Sequence, residues 1–277
     1  MNRKSVIFVH GIGPQKQGYS DDLWIKLWQN AIPPEIRKYE VYYYDIFQKL
    51  NEKIEIDKFT QKYGIENILK GVIKEQSVFD AINDTLKDTV SHVLYYLLTA
   101  DAYNAINNKF LYQLNTLVQD GINEGYPPQK HDIVVISHSL GTVVAYCSIY
   151  RAMAEPAIGL QDNTRIKALF TLASPLALIK TVGDKLNFKL QYVSGGIDKP
   201  KEYDPVMGIS IKYLKKWFSY RHNYDPVASL IPLKGDFLDI TENPPFIFGQ
   251  SLGIDVHDFS KYVEQARDNI LGQLKGD

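Results

Sequence analysis

Val134-Val135-Ile136-Ser137-His138-Ser139-Leu140-Gly141-Thr142-Val143-Val144 decides how the rest of the chain is read. The run opens with β-branched apolar residues, the composition of a buried strand. It turns through Ser-His-Ser-Leu-Gly and continues as an apolar, helix-compatible segment. A strand, a tight turn carrying a serine, and a helix form the context of a nucleophile elbow, where cramped geometry favours small residues. Gly141 fills the second glycine position of G-x-S-x-G and Ser137 stands at the first, so the motif here is S-x-S-x-G. A Ser-Gly turn after a strand also suits a plain βα connection. The chain must therefore supply a base, an acid and an oxyanion hole in a workable order.

Upstream, Ser5-Val6-Ile7-Phe8-Val9 reads as a short buried strand that ends in the loop His10-Gly11-Ile12-Gly13-Pro14. Ser20-Asp21-Asp22 offers an N-cap and first-turn carboxylates for a helix through Leu23, Trp24, Leu27 and Trp28, which Pro33-Pro34 ends. Tyr39 to Tyr44 is the next strand candidate. Strand, helix, strand in this order suggests a parallel sheet. Residues 46 to about 107 break the rhythm with helical stripes: Ile65, Ile68, Leu69, Val72, Ile73, then Val90, Val93, Leu94, Leu97, Leu98. This spacing fits helices layered on the sheet and fits equally a cap over the site at about 46–90.

Phe110, Leu111, Leu114, Leu117 and Val118 make a further helical face before the central strand, His131 to Ile136. The helix after Ser139 is expected to run to about Ala154. Ile166 to Leu172, Trp217 to Tyr220 and Phe237 to Ile240 are later strand candidates, and Phe259, Tyr262, Val263, Ala266, Ile270 and Leu271 mark a closing amphipathic helix.

The length of 277 residues and an apolar content of 45% allow a substantial core, read here as a single domain over 1–277. A net charge of −1 gives no basic excess for nucleic acid. No apolar stretch is long enough for a membrane span, and Ser5 to Val9 is too short for a signal-peptide core, so the default location is cytoplasmic. The single cysteine, Cys147, can form no internal disulfide and reads as core filler.

A serine hydroxyl needs a base to remove its proton and a third group to orient that base. Of six histidines, only His222 and His257 follow Ser139. His257 lies between the last strand candidate and the final helix, where a loop can present it. His222 is only three residues before Asp225 and reads as a structural neighbour. Asp225-Pro226 places a carboxylate on a turn after the preceding strand; Asp198, Asp204, Asp236 and Asp239 are its rivals, and Asp255 suits a helix cap or a solvent position. One oxyanion N–H should come from Leu140 and another from the His10-Gly11-Ile12-Gly13 loop.

Nucleotide readings fail. Gly13 to Gly18 has P-loop spacing, but Tyr19 stands where the lysine must be, and Lys16 occupies the third glycine of a G-x-G-x-x-G. The chain has neither H-E-x-x-H nor a cysteine cluster, so no metal or cofactor is expected.

Through Phe8-Val9-His10-Gly11-Ile12-Gly13, Ser137 to Gly141, Leu172-Ala173-Ser174-Pro175-Leu176, Asn223 to Val227 and the late His257, the chain resembles the α/β-hydrolase superfamily, in its lipase-like, serine esterase branch. The resemblance covers nearly the whole chain and is thinnest at 46–90. It implies a mostly parallel sheet of about six strands with helices on both faces and a helical insertion. It also implies Ser139 as nucleophile, Asp225 as acid, His257 as base, and Ile12 with Leu140 as oxyanion donors, supported by His10 and Gly11. The expected function is cleavage of a small-molecule or lipid carboxylic ester through an acyl-enzyme. An acyltransferase or amidase on the same triad, or a binding module that keeps the elbow for structural reasons, are the alternatives. The sequence does not specify an oligomeric state.

Overall fold

In the computed structural model, the described residues are 2–12, 15–28, 33, 35–51, 60–72, 89–154, 164–176, 178–179, 214–221, 225, 238–241 and 258–275. Their strands are β1 (Arg3–Val9), β2 (Ile36–Val41), β3 (His131–His138), β4 (Ile166–Leu172), β5 (Trp217–Arg221) and β6 (Leu238–Thr241). They lie in the order β2-β1-β3-β4-β5-β6, and every pairing is parallel. The fold is therefore of the α/β class.

The apolar runs become strands because both sheet faces are covered. Along β1, Val6 and Phe8 join one buried cluster while Ile7 and Val9 join another. Along β3, Val134 and Ile136 alternate in the same way with Ile133 and Val135. The first face is packed by α1 (Ser20–Trp28) and by the C-terminal helix, which contributes Val263, Ala266, Ile270 and Leu274. The second is packed by α2 (Tyr44–Asn51), α3 (Ile65–Val72), the helical residues 89–98, α4 (Ala100–Asn123) and α5 (Leu140–Ala154). The C-terminal helix, α6, spans Phe259–Lys275.

Several expectations shift in detail. The second strand is Ile36–Val41 rather than Tyr39 to Tyr44. Tyr43 leaves the ladder because its backbone N–H donates to His10 Nε2 at 3.2 Å and its hydroxyl donates to the His10 carbonyl, so a helix starts at Tyr44. Ser20 is the first residue of α1 and not a self-contained cap. Glu40 of β2 accepts instead from Gly18 N–H (2.6 Å), Ser20 N–H (3.3 Å) and the Ser20 hydroxyl (2.7 Å), which ties the helix start to the sheet. Asp258 caps α6: its Oδ1 accepts from Ser260 N–H at 2.6 Å and Lys261 N–H at 3.3 Å. Asp255 lies outside the described residues.

Within the segment 46–107, Phe47, Ile65, Leu69, Val90, Val93, Leu94, Tyr96 and Leu97 are all buried in the core cluster on the second sheet face. Each such side chain contributes about 1.5–3 kcal/mol by leaving water. Packing on the sheet accounts for the burial of these side chains; residues 52–59 and 73–88 of the expected cap, with Ile73, lie outside the described residues. Cys147 is buried beside them, and burial pushes its thiol up to about 12, too high for a thiolate at neutral pH.

The end of the sheet opposite the Ser139 turn is fixed by Arg3. The residue is 4% exposed, and its guanidinium donates to Glu124 (3.0 Å), the Leu117 carbonyl (2.8 Å), Ser5 Oγ (3.2 Å) and Tyr39 Oη (3.0 Å). One buried cation thereby joins β1, β2 and α4. All its donors are directed at acceptors, which is the condition for burying a charge at tolerable cost.

Candidate active site

The chain enters the sheet at β1, steps outward to β2, and returns on the other side of β1 as β3. The winding direction reverses between β1 and β3. In an open parallel sheet such a reversal leaves a crevice beyond the carboxyl ends of the two strands, the usual place for a ligand. Two loops flank this crevice: His10-Gly11-Ile12 after β1, and Ser139 after β3.

Ser139 has φ +51°, in the left-handed region that non-glycine residues avoid. Such a backbone costs on the order of 1–3 kcal/mol and persists only where its surroundings impose it. Here they do. Ser139 N–H donates to the Leu172 carbonyl of β4 at 2.9 Å. The Ser139 carbonyl accepts from Thr142 twice, from N–H at 2.9 Å and from Oγ1 at 2.7 Å. The residue is held from the strand side and from the helix side and is 2% exposed. Leu140 and Gly141 follow as the first residues of α5. Amides at these positions have no acceptor within the helix and stand at the positive end of its dipole.

Two glycines press the two loops together. A Cβ on Gly141 would collide with the carbonyl oxygens of His10 and Val9, the latter at 2.5 Å. A Cβ on Gly11 would lie 2.8 Å from Ser139 Cβ and 3.0 Å from His138 Nδ1. Only residues without side chains permit this approach, which puts the β1 loop directly against the serine. Ser137, at the other small-residue position, is buried on β3 and donates its hydroxyl to the Phe170 carbonyl at 2.8 Å. The motif's departure from glycine is thus absorbed by a satisfied hydroxyl.

His10 braces the β1 loop. Its Nδ1 lies 2.6 Å from the Gly11 carbonyl and its Nε2 accepts from Tyr43 N–H, a pair of contacts that fits the neutral Nδ1–H tautomer. The ring stacks on Tyr43 at 4.1 Å and meets the edge of Tyr19 at 5.0 Å. Burial lowers its pKa to about 4, with the Lys109 charge adding and the Gly11 carbonyl and Asp45 opposing. His10 is therefore an uncharged structural strut at neutral pH.

Asp225, beyond the end of β5, is fully buried, and the Tyr262 hydroxyl of α6 donates to its Oδ2 at 2.7 Å. Three residues before Tyr262, Phe259 stacks on His138 at 4.8 Å with an interplanar angle of 12°. The first turn of α6 thus touches Asp225 and the residue that precedes Ser139. Phe259 and Tyr262 fall on the apolar face expected of the closing helix from its spacing. A phenol among apolar residues at helical spacing was the only available signal, and it is a weak one.

Ser139, Leu140, Gly11 and His10 are brought together. Ile12 follows in the same loop, half-buried and packed against the core. His257 lies outside the described residues, as do His222, Asp198, Asp204 and Asp236; Asp239 lies on β6. Next to this region, beyond the end of β2, a cleft of about 470 Å³ is lined by Tyr42, Asp45, Lys109 and Tyr112. Its main charges are matched, since Lys109 Nζ donates to both Asp45 oxygens at 2.6 and 2.8 Å. Among the described residues no three His, Cys, Asp or Glu side chains converge as a metal-holding group, and no helix is long and apolar enough to cross a membrane.

No protein-family model matches this chain, and no curated protein matches it.

Proposed function

We propose that the chain is a serine hydrolase of the α/β-hydrolase kind that cleaves carboxylic esters through an acyl-enzyme. The observation that carries this reading is the backbone of Ser139: left-handed, at the junction of a central parallel strand and a helix, and pressed by Gly11 and Gly141 against the loop after β1. A strained serine at a strand-to-helix turn, with flanking amide donors, is the backbone arrangement of a nucleophile elbow.

In this reading Ser139 attacks the ester carbonyl. The amides of Leu140 and Ile12 stabilise the oxyanion. His257 takes the serine proton and passes it to the leaving alkoxide, while Asp225 holds the imidazole and stabilises its charged form. Water then releases the acyl group by the same steps. The burial of Asp225 supports its role, because a buried carboxylate is retained where its charge has a task. The chain position of His257 supports its own: Phe259, two residues further on, stacks on the neighbour of Ser139.

The test is labelling with a fluorophosphonate. The folded protein is expected to take the label at Ser139 and Ser139→Ala is expected to take none; folded wild type that stays unlabelled ends the proposal. A panel of p-nitrophenyl esters of rising chain length then reports the depth of the acyl pocket.

A further inference from the structure

We infer that Tyr262 is a positioning residue for the acid of this site, an inference that rests on the hydrolase reading above. A carboxylate that orients an imidazole must present one oxygen to the ring and keep the other occupied, or it rotates out of line. Asp225 is fully buried and Tyr262 is 1% exposed, so water does not compete freely for either group. At 2.7 Å the phenol is a short, charge-assisted donor to Oδ2.

The support behind Tyr262 is a rigid element rather than a loop. Asp258 caps the helix start through Ser260 and Lys261. Val263, Ala266, Ile270 and Leu274 bury the face below, and Arg267 Nε donates to the Leu27 carbonyl of α1 at 2.9 Å. Phe259 and Tyr262 are three residues apart and so share a face of the helix. That face also contacts the histidine beside Ser139: His138 lies 4.8 Å from the Phe259 ring and 6.0 Å from the Tyr262 ring. One turn of helix therefore sets the acid and the nucleophile turn relative to each other. A positioned group held by packed secondary structure is more precise than one on a free loop.

The experiment measures the second-order rate of fluorophosphonate labelling of Ser139 in four proteins: wild type, Tyr262→Phe, Asp225→Asn and the double variant. Tyr262→Phe should label about ten-fold more slowly, the scale of one hydrogen bond to a charged group. With a p-nitrophenyl ester the loss should fall on kcat and leave KM unchanged. The double variant should label no more slowly than Asp225→Asn alone, because the phenol acts through the carboxylate. Labelling of Tyr262→Phe at the wild-type rate overturns the inference. So does a further ten-fold loss in the double variant, which would mean that the phenol acts by packing. Should Tyr262→Phe unfold, 3-fluorotyrosine at position 262 keeps the shape and strengthens the donor; an unmoved rate there also overturns the inference. Wild type that never labels removes the hydrolase reading and this inference together. Labelled wild type with an unaffected Phe variant removes the inference alone.

Discussion

The chain turns twice in the same way. Ser139 after β3 has φ +51° and Ala173 after β4 has φ +53°. Each donates its N–H at 2.9 Å to the last or next-to-last carbonyl of the neighbouring strand, Ser139 to Leu172 and Ala173 to Tyr220. The backbone strain is therefore shared, and strain alone does not mark a nucleophile. What differs is the company. The turn at Ser139 opens directly into the fifteen-residue α5 and is clasped by Gly11 and Gly141 against the loop after β1. The turn at Ala173 delivers Ser174, whose Oγ lies 2.8 Å from Thr142 Oγ1, the same hydroxyl that donates to the Ser139 carbonyl. The second turn thus buttresses the first. A left-handed residue can be the reacting site or its support, and the contacts around it decide which.

The sharpest way to break this comparison is to exchange the side chains. Ser139→Ala should lose ester hydrolysis and labelling by about 10⁴-fold or more, the scale seen when a nucleophile is removed. Adding Ala173→Ser to that variant should restore neither, because that turn lacks the glycine-clasped loop; mass spectrometry of the labelled protein checks both. Label on residue 173 would show that the turns are interchangeable.

Next in size is the clasp. Gly141→Ala forces a methyl group into the Val9 and His10 carbonyls, and backbone cannot move aside as a side chain would. A loss of about 3 kcal/mol in urea unfolding is expected, with slower labelling of whatever remains folded.

The brace of that clasp titrates. His10 is held neutral with a pKa of about 4, below its unfolded value near 6.5. The unfolded chain binds the proton first, so the His10 contribution is intact above pH 6.5 and is lost as pH falls toward 4. It is worth about 3 kcal/mol across that window. Urea unfolding at pH 7 and pH 4.5 should show a smaller acid loss in His10→Gln than in wild type. An equal loss in both would place the acid sensitivity elsewhere.

The smallest effect separates strain from function. Ala173→Gly relieves the positive φ and should stabilise the protein by about 1 kcal/mol with labelling unchanged. Ser139→Gly should stabilise by a similar amount with labelling abolished. Thermal melts followed by labelling check the pair.

Much of this was legible in the sequence, for identifiable reasons. Val134 to Ile136 and Val6 to Val9 are apolar without a break, and such runs need both faces covered, so parallel central strands follow. Gly11 and Gly141 stand out because a close approach admits no other residue. Other features depend on partners distant in the chain. Glu40 caps α1 from a neighbouring strand, and Tyr43 is drawn from the β2 ladder by His10, so strand and cap boundaries moved. Tyr262 finds Asp225 across 37 positions, and no local pattern distinguishes its hydroxyl from the edge of a core aromatic. The apolar stripes between 46 and 107 were ambiguous for a different reason: core and cap helices share one periodicity, and only burial against the sheet tells them apart.

The strand order has a consequence for how the protein is made. β1 precedes the other described strands in the chain, yet it sits between β2 and β3 and is closed on its second side only by residues 131–138. At about 5–20 residues per second, the ribosome reaches those residues roughly 6–25 s after β1 is complete. For that interval Val-Ile-Phe-Val has a free hydrogen-bonding edge and lacks the cover that α5 gives one face and α6 the other, the exposure that favours pairing with other chains. The central place that fixes the glycine clasp so firmly in the finished protein is also what leaves one edge of β1 unpaired in the nascent chain until β3 emerges.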